Sequence, residues 1–280
     1  MFQINWKLKS FLYNLFEFFK LAKLFYFIQK YITKRSKINI KKINPIWEFH
    51  AKSIKLNNCL NILEIGAGKS LEQNIYLSYI FEEINQTTID INNMIDFQLF
   101  NNASRQISSL LELEHKGNVK NIADLEKKYK IKYRAPCNLE SLLKDNIKFD
   151  ICISSTALEH FPLRDLNSFL KESKSLLIEG GLISSVIDYS DHYSHTDKNL
   201  SPLNFLVYST DEWAKFNNRY LFQNRLRHHE YKKIFEENKY SIQIEKTGET
   251  ISAPENLSKE FDIKDDRNFI LWGYYLIKNN

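Results

Sequence analysis

Asn61-Ile62-Leu63-Glu64-Ile65-Gly66-Ala67-Gly68-Lys69-Ser70 decides how the rest of the chain is read. An apolar run ends in an acid, turns through Gly-x-Gly and meets a stretch of helical spacing over residues 70–81. A short buried strand feeding such a turn is how a parallel α/β sheet presents backbone N–H groups to a ligand. Glycine permits backbone angles and close approaches that a Cβ would block. The chain has only seven glycines, so two within three positions mark a place where that freedom is needed.

Three ligand readings compete at this turn. Gly68-Lys69-Ser70 ends like a phosphate-binding loop, G-x-x-x-x-G-K-[ST], but that pattern needs glycine at position 63, where Leu63 stands. It would also set the charge of Glu64 inside a phosphate cradle. A dinucleotide fingerprint, G-x-G-x-x-G, needs its third glycine at position 71, which is Leu71. The third reading uses Glu64 directly, because an acid just before the turn suits a ligand that carries a cation. A tight strand-to-helix turn with no ligand is the remaining alternative.

Outward from the turn, the periodicity alternates between strand and helix. Trp47 to Leu56 reads as a helix leading into a strand at Asn61–Ile65. Thr87-Thr88-Ile89-Asp90 reads as the second strand, ending in an acid 26 residues after Glu64. An acid there can accept hydrogen bonds from ribose hydroxyls. Residues 94–130 read as polar helix, including Ile107–Glu114 and Ile122–Tyr129, and Ile131-Lys132-Tyr133 as strand three. Phe149 to Ser155 reads as strand four, followed by Leu158-Glu159-His160. Leu166 to Leu177 reads as a helix stopped by Gly180-Gly181, with strand five over Leu182–Ile187.

These two blocks, the acid-x-Gly-x-Gly turn and Phe149-Asp150 … Leu158-Glu159-His160 … Gly180-Gly181, occur in one order over residues 58–190. Together they resemble class I S-adenosylmethionine (SAM) methyltransferases of the type 11-like group. The resemblance implies a Rossmann-like α/β fold: a seven-stranded, mostly parallel sheet with helices on both faces and an antiparallel edge hairpin, for which Tyr240–Thr247 and Phe269–Ile277 are suited. It implies S-adenosyl-L-methionine as cofactor, lying over the carboxyl ends of the first strands among Glu64, Gly66, Ala67, Gly68, Asp90, Ile91, Asn138 and Ser154. Many relatives carry an acid where Asn138 stands. The stretches Asp188–Asp197 and Tyr220–Tyr231 are similar to methyltransferases of bacterial capsule and surface-polysaccharide pathways, including those that methylate capsular phosphoramidate. That finer resemblance implies O-methylation of a phosphorylated or nucleotide-linked intermediate, or of a sugar.

Methyl transfer to a hydroxyl needs a nucleophile aligned with the methyl donor and a group to remove the proton. Histidine suits the second task because its pKa lies near neutrality. His160, His192 and His195 are the candidate bases, with Asp191 as a catalytic partner. Asp188, Tyr193 and Glu159 are candidate substrate contacts, and Arg225 and Arg227 could hold a substrate phosphate. His160 could equally be a structural histidine, and both arginines could serve in capping or ion pairs. The 188–197 cluster also admits a divalent metal site or a solvated loop. No residue is assigned as a metal ligand.

Three cysteines without metal spacing read as reduced thiols, which with no apparent signal peptide points to the cytoplasm. No stretch is apolar enough to span a bilayer. Residues 1–42 carry ten Lys and Arg against one acid, Glu17; with +5 for the whole chain, the remainder is net acidic. This divides the chain into a basic, aromatic-rich helical arm over 1–42 and a methyltransferase domain over 43–280. Residues 6–33 read as helix, either packed on the domain or lying on an anionic membrane surface. A chain starting near Lys42 is expected to stay folded. The expected partner is a small molecule or glycan precursor, with no nucleic acid. A non-catalytic scaffold of the same fold, docked at a membrane by the arm, is the alternative from another class.

Overall fold

The structure, a computed structural model, describes residues 4–21, 24 and 38–280. The arm's helix α1 covers Trp6–Phe18, and the expectation of helix beyond it lies largely outside the described residues. Helix α2 (Pro45–Leu56) starts where its fold is favoured: Asn44 caps the Ile46 N–H, and Pro45 sits in the first turn, where no N–H is needed.

Seven strands form one sheet in the order β3-β2-β1-β4-β5-β7-β6. They are β1 (Asn61–Ile65), β2 (Asn85–Ile89), β3 (Ile131–Arg134), β4 (Phe149–Ser155), β5 (Leu177–Asp188), β6 (Tyr240–Thr247) and β7 (Trp272–Asn279). β1 to β5 pair in parallel; β7 runs antiparallel to both β5 and β6. The central strands are buried along almost their whole length because helices cover both faces, and their apolar runs fit that environment. One core cluster centres on Ile62, Ile75, Phe100 and Ile151, the other on Leu63, Cys152, Leu166 and Tyr275.

The helices between strands are α3 (Glu72–Ile80), α4 (Phe97–Leu110), α5 (Ile122–Tyr129), α6 (Leu139–Leu143) and α7 (Leu163–Leu176). Among the boundaries that move, two bear on the architecture. The stretch Ile107–Glu114 is no separate helix, because α4 begins at the Asp96 cap and ends at Leu110. Gly180-Gly181 does not separate helix from strand. Both glycines lie inside β5, where the pairing with β4 slips between Phe149 and Ile151 and Gly180 takes φ +71°. A residue with φ > 0 lets one strand take up that slip.

Between β5 and β6 the chain leaves the sheet. Residues 189–227 form loops, a 3-10 turn at Asn204–Val207 and the short helix α8 (Thr210–Ala214), before α9 (His228–Glu237) returns to the sheet. This excursion has its own small core of Tyr193, Leu203, Phe205, Leu206, Trp213 and Phe269, and Trp6 of α1 belongs to it. Trp6 is 5% exposed, with ring centroids 4.8 Å from Phe216 and 5.4 Å from Tyr193.

Candidate functional site

At the end of β1 the chain turns through Gly66 (φ +81°) and Gly68 (φ +69°). Gly66 N–H donates to Ile89 O at 3.0 Å, stitching the turn to β2. A Cβ on Gly66 would come within 3.1 Å of Ala157 Cβ, whereas nothing stands within 4 Å of that position on Gly68. The turn is therefore closed on the β4 side at Gly66 and open at Gly68. Asp90, one residue past β2, accepts from Gly68 N–H at 3.3 Å and from Asn92 N–H at 2.8 Å. Burial raises its pKa, and those two N–H groups counter the rise. Ile91 beside it is 75% exposed, an isolated apolar face next to the acid. Ser154 pairs with Ile65 across β1 and β4; its buried hydroxyl has no hydrogen-bond partner among the described residues. Asn138 caps α6, accepting from Ser141 N–H at 3.0 Å.

Glu64 lies behind the turn, 5% exposed. It accepts from Gln73 Nε2 and Thr88 Oγ1, both at 2.8 Å. Burial pushes its carboxyl up to about 7 even with Thr88 donating to it. Gln73 starts a hydrogen-bonded chain across the sheet. Ser155 Oγ donates to Gln73 Oε1 at 2.6 Å. With that proton committed, Ser155 accepts from His50 Nε2 at 3.0 Å, and His50 Nδ1 accepts from Ser184 Oγ at 2.8 Å. Tyr274 OH supplies Ser184 at 3.1 Å, and Ser53 supplies Tyr274. The network thus assigns one tautomer to His50 and points every donor toward Glu64. Burial holds His50 neutral, with its pKa lowered to about 3. Sequence reading missed this chain. Trp47, Ala51 and Ile54 set the buried face of α2, and His50 falls on that face; this was the available signal.

On the other side of β4, Asp188 ends β5. Burial alone would raise its pKa, but His192 and Ser190 hold it below the usual carboxylate range. Its Oδ1 accepts from Ser190 N–H and Ser190 Oγ, at 2.8 and 2.6 Å. Asp188 Oδ2 lies 3.4 Å from His192 Nε2 and 3.6 Å from His195 Nε2. Ser190 Oγ, its own proton given to Asp188, accepts from His195 Nε2 at 3.0 Å. That leaves His195 Nδ1 as a bare lone pair. Asp188, Ser190 and His195 line a cavity of about 760 Å³, together with Phe49, Thr156, Lys198 and Trp272.

The structure brings Asp188, His192 and His195 together with Glu159 and His160, and separates four other sequence candidates from them. Asp191 is fully buried, accepting from Tyr193 N–H and Asn204 Nδ2, both at 2.8 Å. Burial pushes it up to about 6, and it closes the loop rather than facing the cavity. Tyr193 donates its hydroxyl to Phe216 O at 2.8 Å inside the small core. Arg227 is fully buried, its guanidinium spread over the carbonyls of Asn268, Tyr189 and Ile270 at 2.7–2.8 Å. Arg225 binds the carbonyls of Phe205 and Tyr208 and the Thr210 hydroxyl. Both guanidiniums are held by the excursion and neither lines the cavity, so both fasten the excursion rather than a substrate phosphate there. Their neighbours bear on the site instead. Asn224 holds Glu159 O, Leu158 O and Phe161 O at 2.9–3.1 Å, and Phe222 O binds His160 Nδ1 at 2.6 Å.

No protein-family model matches the chain, and no curated protein matches it in sequence. Among solved structures, the chain is similar to TehB from Haemophilus influenzae (15% identity, TM-score 0.47, 91% of this chain and 66% of that one). It is similar to a candidate O-methyltransferase from Nostoc punctiforme PCC 73102 (13% identity, TM-score 0.48, 84% of this chain and 56% of that one). It is also similar to magnesium protoporphyrin IX methyltransferase (ChlM) from Synechocystis PCC 6803 with bound SAH (11% identity, TM-score 0.47, 86% of this chain and 90% of that one). The chain thus spans less than two thirds of the first two in length. All three scores lie below 0.5, and the fold stands on its own strand order: a seven-stranded, mostly parallel Rossmann-like sheet with an antiparallel edge.

Proposed function

We propose that the chain is a SAM-dependent methyltransferase that methylates a hydroxyl group. The observation that carries this reading is the Gly66–Gly68 turn with Asp90 beside it at the ends of two adjacent parallel strands, open above Gly68. The residues fit the cofactor. Asp90 suits the ribose hydroxyls, Ile91 offers an apolar face for the adenine, and Ser154 has a buried hydroxyl to satisfy. SAM would supply a methyl group already activated by its sulfonium. The chain's own task is then to orient the acceptor and take its proton. His195 Nδ1, with Nε2 fastened through Ser190 to Asp188, is the base beside the cavity.

The finer reading is a phosphorylated, nucleotide-linked or sugar acceptor of a capsule or surface-glycan pathway. It rests on the resemblance of residues 188–197 and 220–231. With Arg225 and Arg227 engaged elsewhere, Lys198 is the cation lining the cavity that suits an anionic acceptor. Isothermal titration of the full chain with SAM and with S-adenosylhomocysteine tests the reading. One-to-one binding, lost in Gly68→Val, is expected; no binding of either returns the chain to the scaffold alternative.

The arm adds a second reading, of place. Leu8, Phe11, Leu15 and Phe18 form an exposed stripe along α1, opposite the face that packs through Trp6 and Ser10. Among the described residues no helix is long and apolar enough to cross a membrane. Such a stripe, within an arm that carries ten Lys and Arg against one acid over residues 1–42, suits an anionic membrane surface from the cytoplasmic side. Salt-sensitive co-sedimentation with phosphatidylglycerol vesicles is expected, and Phe11→Ser with Phe18→Ser should abolish it. Equal sedimentation of the double variant would remove the membrane from the account.

A further inference from the structure

We propose that Glu159, His160 and His192 form a binding site for a divalent transition-metal ion of the Mn²⁺-to-Zn²⁺ series. One ligand atom from each of the three lies within 4.8 Å of the others. Glu159-His160 and His192 follow different strands, β4 and β5, so no spacing along the chain marks them as one cluster.

Glu159 supplies the independent sign of a ligand. It is 2% exposed, and neither carboxylate oxygen has a hydrogen-bond partner among the described residues. The backbone N–H groups of Glu159 and Asp188 lie near, but make no hydrogen bond of acceptable geometry with it. A buried carboxylate without partners is costly, and coordinating a metal is one of the few ways to satisfy it. His192 Nε2 is also buried without a hydrogen bond, 3.4 Å from Asp188 Oδ2.

The surroundings are arranged as metal sites require. His160 Nδ1–H donates to Phe222 O at 2.6 Å, so its Nε2 is left with a lone pair. A metal-bound histidine usually fixes its second nitrogen on a carbonyl or carboxylate in this way. Asn224 pins the Leu158–Phe161 turn, and Gln223 Oε1 accepts from His192 N–H at 2.9 Å, so one short strap sets both histidine-bearing segments. His160 is exposed on its outer side, which leaves coordination positions open for water or an oxygen ligand. Two imidazoles with one carboxylate favour first-row transition ions over Mg²⁺ or Ca²⁺, which prefer all-oxygen shells. The inference is independent of the methyl-transfer reading, since a chain that binds the ion but not SAM would end that reading and leave this one standing.

The test is titration of chelator-treated full chain with Co²⁺, Mn²⁺, Zn²⁺ and Mg²⁺, followed by calorimetry and the visible absorption of Co²⁺. One Co²⁺ or Zn²⁺ ion per chain is expected, with Mg²⁺ far weaker. Glu159→Gln, near-isosteric and relieved of its buried charge, should fold normally and bind at least about tenfold more weakly. Thermal melting gives a second readout: the ion should raise the Tm of the wild type and leave that of Glu159→Gln and His192→Asn nearly unmoved. Absence of binding overturns the proposal. So does wild-type affinity in Glu159→Gln, the mark of adventitious coordination by surface histidines.

Discussion

The two halves of the carboxyl edge are built in different ways. Over β1, β2 and β3, the candidate cofactor residues come from short, nearly continuous segments: Glu64 to Gly68, Asp90 with Ile91, and Asn138. Over β4 and β5, the candidate acceptor side depends on contacts between distant parts of the chain. Trp6 N–H donates to Asp197 Oδ2 at 3.1 Å, and Lys9 Nζ reaches Thr196 at 2.9 Å. The partners are separated by 191 and 187 positions in sequence. The first half can be read locally because its turn is dictated by backbone angles; the second cannot.

The largest effect should separate the halves outright. His195→Ala should lower turnover by about 10²–10⁴-fold, the usual worth of a positioned general base, while SAM affinity stays within about twofold of wild type. Steady-state rates beside calorimetry would check this. A drop in SAM affinity of similar size would mean that the two halves are one site.

Particular residues show what the sequence could reveal. Gly66, Gly68 and Asp90 are legible because a turn after an apolar strand needs glycine, and the following strand ends in an acid. The parallel part of the sheet was equally open to reading, since apolar runs alternating with helices admit few topologies. Arg225 and Arg227 show the opposite. Clustered cations next to histidines suggest a phosphate site, yet both guanidiniums are held by groups of residues 189–270 that only the folded excursion brings near. Glu159 carries no local sign of burial at all.

The arm sharpens the comparison next. Trp6→Ala should destabilise the excursion by about 3 kcal/mol, the lower end for truncating a buried aromatic. A chain starting near Lys42 would lose the Trp6 side chain from the small core and the Trp6 N–H bond to Asp197. Hydrogen exchange should show residues 193–216 opening in Trp6→Ala, with β1 and β2 protected as in wild type. Uniform loss of protection would refute a separately stabilised acceptor side.

In the candidate cofactor half, the buried Glu64 is expected to set a pH dependence. Its folded pKa of about 7 lies above the model-peptide value near 4.5, so the folded chain holds the proton more tightly. The stabilising contribution is present below about pH 4.5 and is lost as pH rises through about 7, at most roughly 3 kcal/mol. Denaturation at pH 5 and pH 8 should show this slope in wild type and a flatter one in Glu64→Gln; equal slopes would remove Glu64 as its source. Asp90→Ala should reduce SAM affinity by about 10- to 150-fold, the worth of hydrogen bonds to a charged group. It should leave the melting of the excursion untouched.

The smallest effect tests whether the halves are joined. The chain of donors from Ser53 through Tyr274, Ser184, His50, Ser155 and Gln73 runs beneath both, from β7 to Glu64. Tyr274→Phe keeps the ring, stacked on Phe49 at 4.8 Å, and removes one link. Ser184 then loses its donor and Ser53 its acceptor, a stability cost of about 0.5–1.5 kcal/mol. Glu64 keeps its nearest donors, Gln73 and Thr88, so SAM affinity should change by less than about twofold. Measured stability should therefore fall while cofactor affinity holds. A loss of affinity of about tenfold or more would mean that Glu64 is set from the far edge of the sheet through His50, and that the cofactor half is less local than its sequence makes it look.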